Sequence, residues 1–244
     1  MKENKFDIQD EEYIFPYHYL TSLNNQIPNI EKRLSWGLEY LTYNNFIIKY
    51  IEEIIKPKSL LDIGCGDGYL INNLNYSSNN NFLGIDLSSR AIKFANAFSN
   101  GYEFKVEDLF KVNQTFQVVS LIEVIEHIPD DMIEKFIDEA KSKVERGGYL
   151  IISVPTTVDP VQSKHYRHYD EELVEKHINP QGFELVEQKR LFKKSKFLDK
   201  ISKKIFKQRS NTLKRMLWSL HKKNFYFASR EKGKHIVCIY QKNN

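Results

Sequence analysis

The chain has little that would anchor it or cross-link it. No apolar run approaches the roughly 18 residues a membrane-spanning helix needs. Its opening residues, MKENKFDIQDEEY, are polar and acidic, without the basic start and apolar stretch of a secretory signal. Two cysteines, Cys65 and Cys238, in 244 residues build no disulfide framework. Both lie in apolar, strand-like surroundings and read as buried thiols in a reducing compartment. There is no internal repeat and no low-complexity tract. These absences argue against a spanning protein or a stapled secreted scaffold. The expectation is a cytoplasmic chain of one ordinary domain with additions.

What is present is a usable core, 41% apolar, and an uneven charge. Of 36 basic and 32 acidic residues, 14 basic and one acidic fall between Lys189 and Lys223, leaving 22 basic and 31 acidic elsewhere. An acidic body therefore carries one basic segment. Residues 1 to about 29 have many aromatics and little periodicity, and residues 30–55 space apolar residues as a helix would, up to Pro57. From 59 onward strand-like runs alternate with helical ones: SLLDIG, GYLINNL, FLGIDL, SSRAIKFANAF, EFKV, FQVVSLI, DDMIEKFIDEAKSKV, GGYLIISVP. That alternation predicts parallel strands joined by crossover helices, an α/β layered sheet. A helix (171–178) and strands at 183–188 and 235–242 follow. The expected division is a cap over 1–56 and a main domain over 57–242, with two amphipathic helices inserted at 191–223.

The strongest feature is LLDIGCGDGYL, residues 60–70. A strand runs into Asp62, then Gly64, Gly66 and Gly68, then a helix. Glycines permit a sharp turn and let a ligand approach the main chain, and the free N–H groups of a helix start favour an electronegative partner. Asp86 ends the next strand about 20 residues on, where an acid can accept from both hydroxyls of a ribose. Asp108, in EDLF after the third strand, can accept from an adenine amino group while Leu109 packs on the ring. Three acids in register after three successive strands read as a nucleoside site. The glycine spacing is not the G-x-G-x-x-G of dinucleotide binders, because position 69 is Tyr.

With these residues the chain resembles the class I S-adenosylmethionine-dependent methyltransferases over roughly 57–190 plus the final strand. The resemblance implies a Rossmann-like, seven-stranded, mostly parallel sheet with an antiparallel last strand and helices on both faces. It implies S-adenosylmethionine as cofactor, contacted by Asp62, Gly64, Gly66, Asp86, Leu87, Asp108, Leu109 and Glu123.

EVIEHIPDD, residues 123–131, follows the fourth strand, and so lies at the end of the sheet where ligands bind. Glu123, Glu126 and His127 share one face if the chain coils there, and KHYRHYD at 164–170 offers His165 and His168. E-x-x-E-H is similar to the pattern of ubiquinone-synthesis O-methyltransferases and of small-RNA 2′-O-methyltransferases. That resemblance implies Mg²⁺ or Mn²⁺ held by Glu123, Glu126, His127 and His168, with His165 as the substitute for His168. A cation of that kind polarises a hydroxyl for attack on the methyl donor. Alternatively His127, Glu126 and His168 position and deprotonate the acceptor without metal, or the stretch is a structural junction. Lys164, His165 and Arg167 offer a further reading, as a phosphate site.

Tyr17, His18, Trp36 and Tyr40 are candidates for the acceptor wall, or for plain packing. The 191–223 insertion reads as a lid or dimer contact, an attachment to an anionic membrane surface, or a binder of an anionic acceptor. The expected activity is O-methylation of a small hydroxylated molecule, a sugar or nucleotide-linked sugar first. A small-RNA end or a quinone precursor at a membrane surface are the alternatives. The acidic body and the lack of an RNA module argue against nucleic acid.

Overall fold

The computed structural model describes residues 5–30, 36–77, 79–206 and 210–244. Seven strands form the central sheet: β3 (Ser59–Ile63), β4 (Asn81–Asp86), β5 (Glu103–Val106), β6 (Phe116–Ile122), β7 (Val144–Pro155), β8 (Phe183–Lys193) and β9 (Gly233–Lys242). Their spatial order is β5-β4-β3-β6-β7-β9-β8. The β3–β4, β4–β5, β3–β6 and β6–β7 pairs are parallel, while β9 runs antiparallel to both neighbours, β7 and β8. The expected Rossmann-like sheet with its reversed last strand is therefore present.

Strand residues alternate between two cores, as a two-residue period requires. Leu60, Val118, Ile151 and Val237 face one side, with α2 (Gly37–Lys49), α3 (Tyr69–Asn72), α7 (Lys196–Ile205) and α8 (Asn211–Asn224) packed over them. Leu61, Val119, Ile152 and Cys238 face the other, under α5 (Ile133–Ser142) and α6 (Glu171–Ile178). Both thiols, Cys65 in the turn after β3 and Cys238 in β9, are buried and free. Helix α4 (Ser89–Ala97) starts on Ser88, whose hydroxyl accepts from the Ala91 N–H.

The N-terminal region departs from its sequence reading. It contains a short helix, α1 (Lys5–Glu11), a 3-10 turn at Tyr17–Leu20, and a hairpin of β1 (Thr21–Asn24) and β2 (Ile27–Ile30). The expected 30–55 helix begins only near Gly37, because Ile30 ends a strand; residues 31–35 lie outside the described residues. Its last turns, Tyr50–Ile55, widen into a π-helix that stops at Lys56, in the left-handed region at φ 52. The helix expected over 68–74 is a single turn. Two helices do occupy the basic insertion, and residues 207–209 between them lie outside the described residues. Among the described residues no helix is long and apolar enough to cross a membrane.

The turn after β3 is tightly walled. Gly68 sits at φ +82, and a Cβ there would lie 2.9 Å from the Phe104 ring and 3.0 Å from Ala95. Gly68→Ala is expected to cost about 2 kcal/mol from the left-handed backbone and the overpacking together. Urea unfolding measures this; an unchanged midpoint would show that the wall yields freely.

Candidate active site

A cavity of about 840 Å³ opens at the carboxyl ends of β3 to β7, where an open α/β sheet binds its ligands. Its wall includes all eight residues expected to contact a cofactor: Asp62, Gly64, Gly66, Asp86, Leu87, Asp108, Leu109 and Glu123. Asp86 accepts from the Gly66 N–H at 2.9 Å and from the Ser88 N–H at 2.8 Å, so one carboxylate joins the glycine turn to the end of β4. Burial nonetheless raises its carboxyl above the ordinary range. Asp62 is buried and accepts from Ser120 Oγ at 2.7 Å; burial pushes it up to about 7. Asp108 caps the next turn through the Phe110 N–H, and Leu109 is buried beside it.

The N-terminal segment roofs this cavity. Lys5 Nζ donates to the Ser163 carbonyl at 3.0 Å and to that of His165, and Glu12 pairs with Lys164 at 2.7 Å. Across the opening, Asp10 accepts from Ser88 Oγ and pairs with Arg90 at 3.5 Å. The buried Asp67 of the glycine turn takes the His18 backbone N–H at 3.1 Å and its Nδ1 at 2.8 Å. His18 stacks on Tyr40 with centroids 4.7 Å apart. The structure places Tyr17, His18, Trp36 and Tyr40 on the cavity wall, as the sequence suggested, and adds Tyr13 and Tyr43.

The E-x-x-E-H stretch divides in two. Glu123 has a left-handed backbone, φ 56. Its carboxylate accepts from Ser153 Oγ and stands 3.1 Å from His235 Nδ1. His235 Nε2 lies 2.6 Å from Glu39, which also pairs with Lys234 at 2.7 Å. Burial opposes charge on His235, but the Glu123 and Glu39 carboxylates override it and hold the imidazole up at about 10. The result is a partly buried file of alternating charges, Lys234, Glu39, His235, Glu123, ending at the cavity.

Glu126 and His127 gather instead with His165, one ligating atom from each lying within 4.8 Å of the others. Glu126 is fully buried with neither carboxylate oxygen hydrogen-bonded. Burial first, then the Glu123 charge, holds its carboxyl well above the usual carboxylate range. The Nδ1–H of His127 donates to the Lys164 carbonyl at 3.2 Å, which leaves Nε2 bare, 3.9 Å from Glu126. His168 Nδ1–H donates to the Asp159 carbonyl, so its Nε2 accepts from His165 Nδ1–H; both contacts are 2.9 Å. His165 thus keeps its own Nε2 lone pair free. Burial, before any neighbouring charge, lowers His127 to about 4 and His165 further. One carboxylate and two neutral imidazoles, each oriented from behind, form a donor set that fits a divalent cation.

Two sequence expectations are therefore corrected. Glu123 does not join the cluster, because Ser153 and His235 hold its carboxylate. His168 supports His165 from behind and does not line the cavity, so His165 takes the inward place. The phosphate reading also fails geometrically: Arg167 turns to Asp130 and the Ile125 carbonyl, and Lys164 is taken by Glu12. Glu39, Asp67, Lys234 and His235 went unnoticed in the sequence. The one available signal was the reversed last strand, since Pro155 pairs with His235 and so brings the start of β9 to the ligand edge.

A seven-stranded sheet with its last strand reversed and a glycine-lined nucleoside cradle at its carboxyl edge defines the class I methyltransferase type. Comparison with known proteins agrees: residues 39–220 match the family described as "Methyltransferase domain", and the chain belongs to that family of S-adenosylmethionine-dependent enzymes. A ubiquinone biosynthesis O-methyltransferase of Hydrogenovibrio crunogenus is 31% identical over 120 residues, 45% of this chain and 48% of that one. The match thus spans about half the length of the curated relatives. Among solved structures, N-methyltransferase NodS from Bradyrhizobium japonicum aligns with TM-score 0.63 at 14% identity, over 99% of this chain and 100% of that one. Magnesium protoporphyrin IX methyltransferase from Synechocystis aligns with TM-score 0.62 at 14% identity, over 100% and 99%. These two likenesses concern the fold alone, and their different acceptors leave the acceptor to be read from the site.

The His235 file has a definite pH signature. Its folded value, about 10, lies above the ordinary 6.5. The stabilisation is therefore full below about pH 6.5 and is lost as pH rises through about 10. The stability gap between wild type and His235→Gln, measured by chemical unfolding, should be widest near pH 6 and close above pH 10. A gap that grew with pH would contradict the assignment.

Proposed function

We propose that the chain is an S-adenosylmethionine-dependent O-methyltransferase of a small, ring-bearing hydroxylated acceptor, assisted by a divalent cation. The observation that carries the reading is Glu126: a fully buried carboxylate with both oxygens unpartnered, facing two bare imidazole nitrogens on the cavity where the cofactor cradle ends. A buried carboxylate without partners is costly unless a cation or a reacting hydroxyl meets it.

The cradle fits the cofactor. Gly64 and Gly66 both have positive φ, and a Cβ on Gly64 would strike Val124 at 2.7 Å, so only bare backbone leaves room there. Asp86 retains lone pairs for the ribose hydroxyls, and Asp108 and Leu109, on the same cavity wall, would meet the base. Bound S-adenosylmethionine supplies an electrophilic sulfonium methyl group. Glu126, His127 and His165 would hold Mg²⁺ or Mn²⁺, whose chemistry is to lower the pKa of a coordinated hydroxyl. Without a cation, the same lone pairs receive the hydroxyl proton. Glu123, fixed by His235 and Ser153, contributes a carboxylate between cradle and cluster.

The aromatic wall of Tyr13, Tyr17, Trp36, Tyr40 and Tyr43 suits the face of a flat ring. Together with the O-methyltransferase relatives, this favours a phenolic hydroxyl, as in a quinone precursor. The sugar or nucleotide-linked sugar expected from sequence is the competing arm, since the same wall can stack on a sugar's C–H face.

A turnover screen of dihydroxylated aromatics, sugar-nucleotides and short RNAs, in EDTA and then with Mg²⁺ or Mn²⁺, tests the reading. Methylation of a phenolic or sugar hydroxyl that needs the cation is expected. Glu126→Gln should lower kcat/KM by about 10²-fold or more and abolish Mn²⁺ binding in paramagnetic resonance, with calorimetric cofactor affinity unchanged. Full turnover in EDTA would remove the cation from the account, and wild-type rates in Glu126→Gln would remove the cluster.

A further inference from the structure

We infer that the outer face of the α7–α8 pair is a docking surface for an anionic lipid bilayer. The two helices pack against each other, and their inner faces are consumed: Leu198, Leu217, Trp218 and His221 are buried. The outer faces carry apolar residues that nothing in the fold covers. Phe197 is 60% exposed and Met216 63%, with Leu213 and Leu220 exposed beside Met216 at helical spacings of three and four. A stripe of this kind on a soluble face marks a contact surface.

Charge selects the occupant. On α7, Lys196, Lys200, Lys203 and Lys204 fall on one exposed arc next to Phe197; on α8, Lys223 continues the apolar stripe. Among the described residues none of these five lysines forms an ion pair or donates a side-chain hydrogen bond. The basic excess of this segment stands against an acidic remainder of 22 basic and 31 acidic residues. An acidic protein partner would match the lysines but not the bare Phe197 and Met216, and RNA would find a single exposed aromatic, Phe197, with aliphatic Leu213, Met216 and Leu220 where further stacking platforms are wanted. Large apolar side chains beside unpaired lysines match the boundary between headgroups and acyl chains.

The surface is mechanically joined to the cap over the active site. Trp218 Nε1–H donates to Gln26 at 3.1 Å and Lys214 Nζ to Asn29 at 2.9 Å, both on the β1–β2 hairpin, and Thr42 of α2 meets His221 at 2.8 Å. Docking would therefore set the roofing segment near the bilayer. The inference concerns only this surface and holds whichever acceptor is methylated.

Vesicle sedimentation of the full chain tests it. Partition onto phosphatidylglycerol vesicles at low salt is expected, falling at high salt, with little on phosphatidylcholine. Each Lys→Gln change at 196, 200, 203 or 204 should weaken partition about fivefold. The Phe197→Ser, Met216→Ser double variant should lose most of it while keeping wild-type cofactor affinity and unfolding midpoint. No partition onto phosphatidylglycerol at low salt, equal partition onto neutral vesicles, wild-type partition by the double variant, or RNA binding with no vesicle binding would each overturn the proposal.

Discussion

The architecture of the site depends on one carboxylate. Asp86, at the end of β4, receives the backbone N–H groups of Gly66 and Ser88 and so ties the glycine turn after β3 to the helix start after β4. Burial works against its charge, and the two N–H donors offset only part of that cost. The turn can offer the Gly66 N–H in this way because Gly64, Gly66 and Gly68 all take positive φ. Asp67, between two of them, then captures His18 and brings the aromatic cap over the cavity. A single turn thus forms the floor of the cofactor cradle and fastens its roof.

A second constraint organises the chemistry. Two glutamates three residues apart do different work because one has a partner and the other has none. Glu123 is paired with an imidazolium fixed from behind by Glu39 and Lys234. Glu126 is left with bare oxygens facing the bare nitrogens of His127 and His165. Burial drives His127 and His165 toward their neutral forms, which leaves their lone pairs available to a cation or a hydroxyl, and it favours a proton on Glu126 that a cation would displace.

Much of the fold was legible because its signals are local. Strand runs alternating with helical spacing, the DIGCGDG turn, and acids at successive strand ends place β3 to β7 and every expected cofactor residue on the cavity. The cap was less legible. Its hairpin has no alternating pattern in TSLN and IPNI, and helix α2 was overextended because apolar spacing runs unbroken past its ends. Within the site, the choice of His165 over His168 depends on the Asp159 carbonyl that holds His168, and the orientation of His127 on the Lys164 carbonyl, neither of which a side-chain motif reveals. The roles of Glu39 and His235 arise from residues 196 positions apart, joined only when the reversed strand β9 enters between β7 and β8.

The central claim is that the glycine turn and Asp86 hold an S-adenosyl nucleoside. Isothermal calorimetry with S-adenosylhomocysteine tests it most directly, on the wild type and on an Asp86→Ala variant whose fold is checked by circular dichroism. The account predicts one site in the wild type and affinity about 10²-fold or more weaker in the variant, from the loss of charge-assisted hydrogen bonds to the ribose. Absence of binding in the wild type, or undiminished affinity in Asp86→Ala, would contradict it.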